Sequence, residues 1–222
     1  MAMGLMFYEW NLFSLPWYFS LVALIGCTGI INAYNFMDGI NGITGGYSLV
    51  VTAVLWYINS YQITFIDTDF IYALLIAILV FNFFNFRTKA KCFAGDVGAI
   101  SIAFILIFLL GKLILQTTDF SYIVLLVVYG VDTVLTIIHR LILKENIFKA
   151  HRKHAFQIMA NELKIPHVWV STFYALLQLI IAIGYFVFQD QAYLYLLLVS
   201  IVLTVAYIVF KMRYFKLVVG SR

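Results

Sequence analysis

Charge is what this 222-residue sequence has least of: Asp, Glu, Lys and Arg together make up 11% of it, against about 25% in an ordinary soluble domain. With 64% hydrophobic residues and a mean hydropathy of +1.01, there is too little polar surface to cover a globular core. A soluble enzyme, extended disorder and a disulfide scaffold are excluded at this step. The two cysteines, Cys27 and Cys92, sit in different settings and form no framework; each reads as a small buried hydrophobe or a plain thiol. The first 16 residues contain no Lys or Arg, so no cleavable signal peptide with a positive n-region is expected. The short alternating segments of a transmembrane barrel are also missing. The chain must use lipid as its solvent.

What is present is a set of long apolar runs. A bilayer-spanning helix takes roughly 20 such residues, and seven runs qualify: about 17–36, 43–60, 70–86, 99–116, 120–138, 167–188 and 192–210. The expected fold is all-α, a polytopic transmembrane helical bundle of about seven spans. Aromatics at 18%, with 21 Phe and 15 Tyr, suit rings placed at membrane interfaces. The net charge of +4 bears on loop orientation and contact with the lipid bilayer, with no nucleic acid expected. Thirteen of the 14 basic residues fall in alternate connections, around 87–91, 140–164 and 211–222, while the opposite set carries Glu9, Asp67, Asp69, Asp119 and Asp190 with no basic residue. Only Lys112 lies within a span, where snorkelling accounts for it. The positive-inside rule then makes 38–42, 87–98, 139–166 and 211–222 cytoplasmic and puts the N-terminus outside.

The unusual polar clusters read as lying on that cytoplasmic face. In the first, Asn32, Asn35 and Asp38 are spaced by three on an overlapping helical face, and Gly39, Asn41 and Gly42 follow. A lone Asn in a membrane helix usually bonds a neighbouring helix, but three polar groups and a carboxylate at a helix end make a candidate site. In the second, Phe93-Ala-Gly-Asp96-Val-Gly98 follows Arg87, Lys89 and Lys91. Asp96 could be a helix N-cap. The flanking glycines and basic approach also fit an anion site, with a helix starting near Ala99 pointing its positive end at a phosphate and a carboxylate able to hold Mg²⁺. The third lies in a loop from Asp132 to Lys164, with His151, Arg152 and His154 at its core. Structural zinc would want more ligands, and an amphipathic basic segment on anionic lipid is the plainer alternative. His167 reads as an interfacial residue.

Three motifs in order, Asn-x-x-Asn-x-x-Asp-Gly-x-Asn-Gly (32–42), Phe-x-Gly-Asp-x-Gly (93–98) and Ala-His-Arg-x-His-x-x-Gln (150–157), resemble those of the polyprenyl-phosphate N-acetylhexosamine-1-phosphate transferases, glycosyltransferase family 4. The His-Arg-x-His form is closer to the GlcNAc-type branch that starts O-antigen, teichoic acid and related glycans. The resemblance implies transfer of N-acetylhexosamine-1-phosphate from a UDP-sugar to undecaprenyl or another polyprenyl phosphate, with release of UMP. Mg²⁺, or Mn²⁺ in its place, would sit on the pyrophosphate. Asn35 and Asp96 match the family's metal positions, Asp38, Gly39 and Asn41 the segment near the nucleotide, and Phe93 the ring beside the uracil. His151, Arg152 and His154 match the cytoplasmic histidine motif facing the diphosphate or sugar. The expected catalytic residues are thus Asp38, Asp96, His151 and His154; Asn32, Asn35, Gly39, Asn41, Lys91, Phe93 and Arg152 are the expected substrate contacts. The implied location is a bacterial inner membrane with cytoplasmic active-site loops.

Members of that family are longer and carry an Asp-Asp pair in an upstream cytoplasmic loop, whereas no two Asp are adjacent here. The expectation is therefore a single integral-membrane transferase domain, residues 1–222, lacking the family's N-terminal spans and turning over weakly or not at all by itself. The alternative is a truncated, non-catalytic membrane paralogue that retains partial nucleotide-sugar binding. A transporter would place its ionisable residues near the bilayer midplane; here they read as lying at the cytoplasmic edge. Which N-acetylhexosamine is used, and whether two copies pair as a homodimer, stay open. A reporter enzyme active only in the cytoplasm should work when fused after Lys91 and fail when fused after Phe65; the reverse pattern overturns the orientation.

Overall fold

The computed structural model describes residues 1–146 and 152–220, and side chains through Phe215. Among them every regular element is helical. A short α1 (Ala2–Glu9) and a 3₁₀ turn lead into α2 (Trp17–Met37), α3 (Ile43–Tyr61), α4 (Thr68–Asn85) and α5 (Gly95–Thr117). A 3₁₀ segment, Phe120–Leu126, runs straight into α6 (Val127–Ile142). The one-turn α7 (Ala155–Gln157) continues as a π-helical stretch, and α8 (His167–Val187) and α9 (Ala192–Gly220) complete the chain.

The start signals are few and well placed. The two prolines, Pro16 and Pro166, each sit immediately before a span, at the N-caps of α2 and α8; there the missing N–H costs nothing and the fixed φ suits the entry. Asp67 caps α4 by accepting from the Asp69 amide at 3.0 Å. At the same end of the bundle, Asn59 accepts from the amides of Phe65 and Ile66 and donates to Ile66 and Thr68, closing the α3–α4 turn.

Six of the seven expected runs are long and apolar enough to cross a membrane: Trp17–Met37, Thr68–Asn85, Gly95–Thr117, Phe120–Ile142, His167–Val187 and Gln189–Phe215. The remaining run, α3, falls short because it carries Thr44, Gly45, Gly46, Ser48, Thr52 and Asn59, all buried. It packs against α4, α5 and α8 in the middle of the bundle. Its polar groups meet protein instead of lipid. Tyr47 donates to Gln178 Oε1 at 2.7 Å, Gln178 donates to the Val124 carbonyl at 3.0 Å, and the Tyr47 and Tyr129 rings stack at 3.7 Å. Gly45 admits α4 closely: a Cβ there would lie 2.3 Å from Asn82 Oδ1.

Two boundaries differ from expectation. Helix α5 begins at Gly95, four residues before Ala99, so Asp96 lies inside the first turn and makes no capping bond. Asp132 is not in a loop: it lies in α6, ten residues before that helix ends at Ile142, roughly 15 Å along the axis at 1.5 Å per residue. One acidic residue therefore lies well inside a span, not at the edge. The connections 38–42 and 86–94 and the described residues between α6 and α8 gather at one end of the bundle, where Asn41 bonds the Arg87 and Thr88 carbonyls and Gly39 lies by the Phe156 ring.

Gly42 holds the entry to α3 at that end, with φ of +84° and its Cα facing the Phe86 ring; a Cβ would come within 2.7 Å of Phe86 Cδ2. Gly42→Ala should destabilise the bundle by about 2–4 kcal/mol, combining left-handed backbone strain with overpacking. A thermal unfolding midpoint within experimental error of the parent protein would refute that packing.

Candidate functional site

The three polar segments meet where α2, α4, α5, α7 and α8 end or begin. Asp38 is the C-cap residue of α2 and is half-buried. Its Oδ1 accepts from Thr44 Oγ1 at 2.7 Å. Burial pushes its carboxyl above the ordinary range; the Thr44 hydroxyl and the Gly95 amide oppose this, and the facing Asp96 carboxylate adds to it. The first and second segments are thus in direct electrostatic contact. The first and third are in steric contact. A Cβ on Gly39 would stand 3.0 Å from the Phe156 ring and 3.2 Å from Gln157 Nε2, so the 38–42 loop lies close against α7.

Two asparagines hold these loops. Asn41 Nδ2 donates to the carbonyls of Arg87 and Thr88 at 3.0 and 3.2 Å, and its own carbonyl accepts from Ser171 Oγ at 2.7 Å. Its N–H donates to His167 Nδ1 at 3.4 Å, so His167 has a bonded partner as well as an interfacial position. Asn85, 5% exposed at the end of α4, accepts from the Gly42 amide at 2.7 Å and donates to the Cys92 carbonyl at 2.8 Å. Asn85 escaped the sequence reading; its signal is a second Asn three residues after Asn82 at the end of an apolar run.

The other expected residues divide by exposure. Asn32, Lys91, Phe93, Asp96 and Arg152 are exposed, with Phe93 at 73%. Asn35 is half-buried, one turn before Asp38. His151 lies outside the described residues. His154 is buried beneath the loop at 1% exposure. Its Nδ1 lies 3.1 Å from Asp132 Oδ1. Its backbone N–H bonds Gln157 Oε1 in a capping box that starts α7.

Asp132 is the residue that sequence reasoning misplaced. Its carboxylate accepts from the Ala155 amide at 3.1 Å, Thr136 Oγ1 at 3.2 Å and Tyr174 Oη at 2.6 Å, besides facing His154. A buried charge survives only when paired and bonded in this way. It joins α6, α7 and α8, and borders a cleft of about 260 Å³ that α9 also walls. An ionisable residue inside an apolar run is a functional candidate by default, and that signal was available in the sequence.

Chemically, this end of the bundle offers two carboxylates in electrostatic reach of each other, an uncapped 23-residue helix presenting its N-terminal amides, exposed cations and an exposed aromatic ring. Among the described residues no three of His, Cys, Asp and Glu gather closely enough to hold a metal ion. The oxygens of Asp38 and Asp96 instead suit a hard cation that takes one or two carboxylates and completes its shell with phosphate and water.

Residues 1–114 match the family described as Glycosyl transferase family 4. The chain is 27% identical over 191 residues, 72% of its length, to a probable undecaprenyl-phosphate N-acetylglucosaminyl 1-phosphate transferase of Bacillus subtilis, of which it covers 52%. It is 31% identical over 179 residues, 77% of its length, to a phospho-N-acetylmuramoyl-pentapeptide-transferase of Thermotoga neapolitana, of which it covers 55%. With the protein of the same name from Listeria welshimeri it shares 32% identity over 88 residues, 40% of this chain and 27% of that one. The chain spans about half the length of the first two of these relatives and about a quarter of the third.

The raised carboxyl of Asp38 has a stability consequence. A group whose folded-state pKa exceeds its unfolded value of about 4 favours folding below that value, and the benefit is lost as pH rises through the folded-state pKa. Asp38→Asn should therefore raise the unfolding midpoint at neutral pH, and the gain should vanish below about pH 4. A gain that persists unchanged at low pH would assign the effect to something other than ionisation.

Proposed function

The chain belongs to glycosyl transferase family 4, and from that membership we propose that it transfers N-acetylhexosamine-1-phosphate from a UDP-sugar to undecaprenyl or another polyprenyl phosphate. UMP leaves, and the product starts a cell-envelope polysaccharide at the cytoplasmic face of a bacterial inner membrane. The observation that carries this reading is the meeting of the three polar segments at one end of a membrane bundle. Asp38 is within electrostatic reach of the Gly95 amide and the Asp96 charge, and Gly39 lies against Phe156 and Gln157. The connections on that side hold Arg87, Lys89, Lys91, Lys144, Arg152, Lys153 and Lys164 among the described residues, which suits both the positive-inside rule and an anionic substrate.

The acceptor phosphate is already anionic, so its oxygen needs no general base. It attacks the sugar-bearing phosphorus and breaks that atom's bond to the oxygen retained by UMP. The task is in-line positioning and stabilisation of charge on the non-bridging oxygens. The first-turn amides of α5 point along the helix axis toward that charge. Lys91 and Arg152 are exposed to reach it, and Phe93 is exposed to stack on the uracil. Asp132 fixes the ring of His154 through Nδ1, the way a carboxylate orients a working imidazole. Asn41 and Asn85 keep the loops in register. Asp96 and Asn35 would hold Mg²⁺ or Mn²⁺, with the Asp38 carboxylate in electrostatic reach; when bound, the cation would neutralise the diphosphate and polarise it. The long acceptor tail lies in lipid, which accounts for a site at the membrane edge.

Membranes bearing the chain should convert radiolabelled UDP-GlcNAc and undecaprenyl phosphate only slowly to a lipid-linked product with release of UMP. Asp96→Asn should lower that rate by roughly 100-fold or more, the scale on which one preorganised electrostatic group acts. Asp132→Asn should lower kcat by about 10- to 100-fold, as loss of an orienting partner does, with KM for the UDP-sugar little changed. An unchanged rate in Asp96→Asn refutes its role. UMP binding without any lipid-linked product favours a nucleotide-sugar binder over a transferase.

A further inference from the structure

At the basic end of the bundle, α6 and α9 leave between them a cleft of about 420 Å³, lined chiefly by apolar side chains but containing His139 and Lys211. Both helices belong to membrane-spanning segments, and the rim residues Ile142 and Met212 are 72% and 75% exposed, so the cleft opens toward lipid. None of the residues placed in the transferase site lines it.

Lys211 is 6% exposed. Its ammonium donates to the Lys153 carbonyl and lies 5.3 and 5.2 Å from the ring centres of Tyr207 and Phe215. An ammonium has three donors, and among the described residues that carbonyl is the single hydrogen-bond acceptor it meets. His139 stands edge-on to Phe215 at 4.4 Å, and its buried Nδ1 has no hydrogen-bond partner among the described residues. Close by, Arg140 and Lys153 share one carboxylate, Glu145. Asp132 also acts on Lys211 from α6, so Lys211, Arg140 and Lys153 outnumber the carboxylates Glu145 and Asp132 by one, with two polar groups lining an otherwise greasy cleft. Burying such donors unpaired is costly, and an anion with an apolar body would satisfy them. A free anion would leave the apolar walls uncovered.

We propose that this cleft is a binding site for an anionic membrane phospholipid, with the phosphodiester held by Lys211 and His139 and the acyl chains lying along the seam between α6 and α9. The site is independent of the transferase reading: it requires only that α6 and α9 cross a bilayer.

Native mass spectrometry of the full chain, released from nanodiscs of equal parts phosphatidylglycerol and phosphatidylcholine, reads the bound lipid directly. Phosphatidylglycerol should be retained over phosphatidylcholine. Lys211→Met should lower the retained fraction by about fivefold, the factor corresponding to roughly 1 kcal/mol per basic residue at an anionic surface. Lys211→Arg should keep it, and Lys112→Met, at the other end of the bundle, should leave it unchanged. Ile208→Trp fills the cleft while retaining the cation and should also expel the lipid, which keeps the test decisive if Lys211→Met fails to fold. Equal retention of the two lipids, or retention unaffected by both Lys211→Met and Ile208→Trp, overturns the proposal. Displacement by millimolar inorganic phosphate would make this a free-anion site, and displacement by stoichiometric undecaprenyl phosphate would make it an acceptor site; either overturns it.

Discussion

Hydrocarbon offers no hydrogen bond to an amide, a hydroxyl or a carboxylate, so each polar group that enters the bilayer must find its partner within the protein. That constraint shapes this bundle from the centre outward. Helix α3, the most polar of the long helices, is enclosed by α4, α5 and α8, and its Tyr47 reaches Gln178 of α8, which in turn reaches the Val124 carbonyl. Asp132 lies deep in α6 and carries four protein partners drawn from three elements. Irregular backbone is pushed to the two ends. At one of them the loops after α2 and α4 are tied to each other and to the start of α7.

That end is built for close approach more than for stability. Gly39 and Gly42 bring backbone close to Phe156 and Phe86, and at Gly42 any side chain would collide with the Phe86 ring. Asn41 and Asn85 consume their hydrogen bonds on neighbouring backbone, locking the loop after α2 to the loop after α4. Asp38 is held half-buried within reach of the Asp96 charge, an arrangement that opposes folding at neutral pH. Sites commonly carry such local penalties, offset by packing elsewhere; here the enclosed apolar core supplies it.

Much of this was legible in the chain itself. The apolar runs mark the spans to within a few residues, and the segregation of basic residues marks which ends belong together. The motifs around Asp38, Asp96 and His154 mark the polar end. The misreadings have physical causes. Gly95 and Gly98 look like loop residues, but with few side chains to crowd it the helix starts at Gly95 and takes Asp96 into its first turn. Helix α3 is as long as a span yet less apolar, since its neighbours, and not lipid, surround it. Asp132 looked like the start of a loop because a carboxylate inside a span is costly until its partners are known.

Composition and periodicity therefore determined that the chain is a helical membrane protein, how its spans alternate, and which residue types cluster at one end, because lipid solvation acts residue by residue along the sequence. The partners of those residues were decided only by the tertiary structure. Asn41, a motif residue, holds loops together; Asn85, outside any motif, does the same. His154 turns inward to a carboxylate 22 positions away in sequence. Hydrogen bonds between distant segments depend on how helices pack, and no local pattern records that.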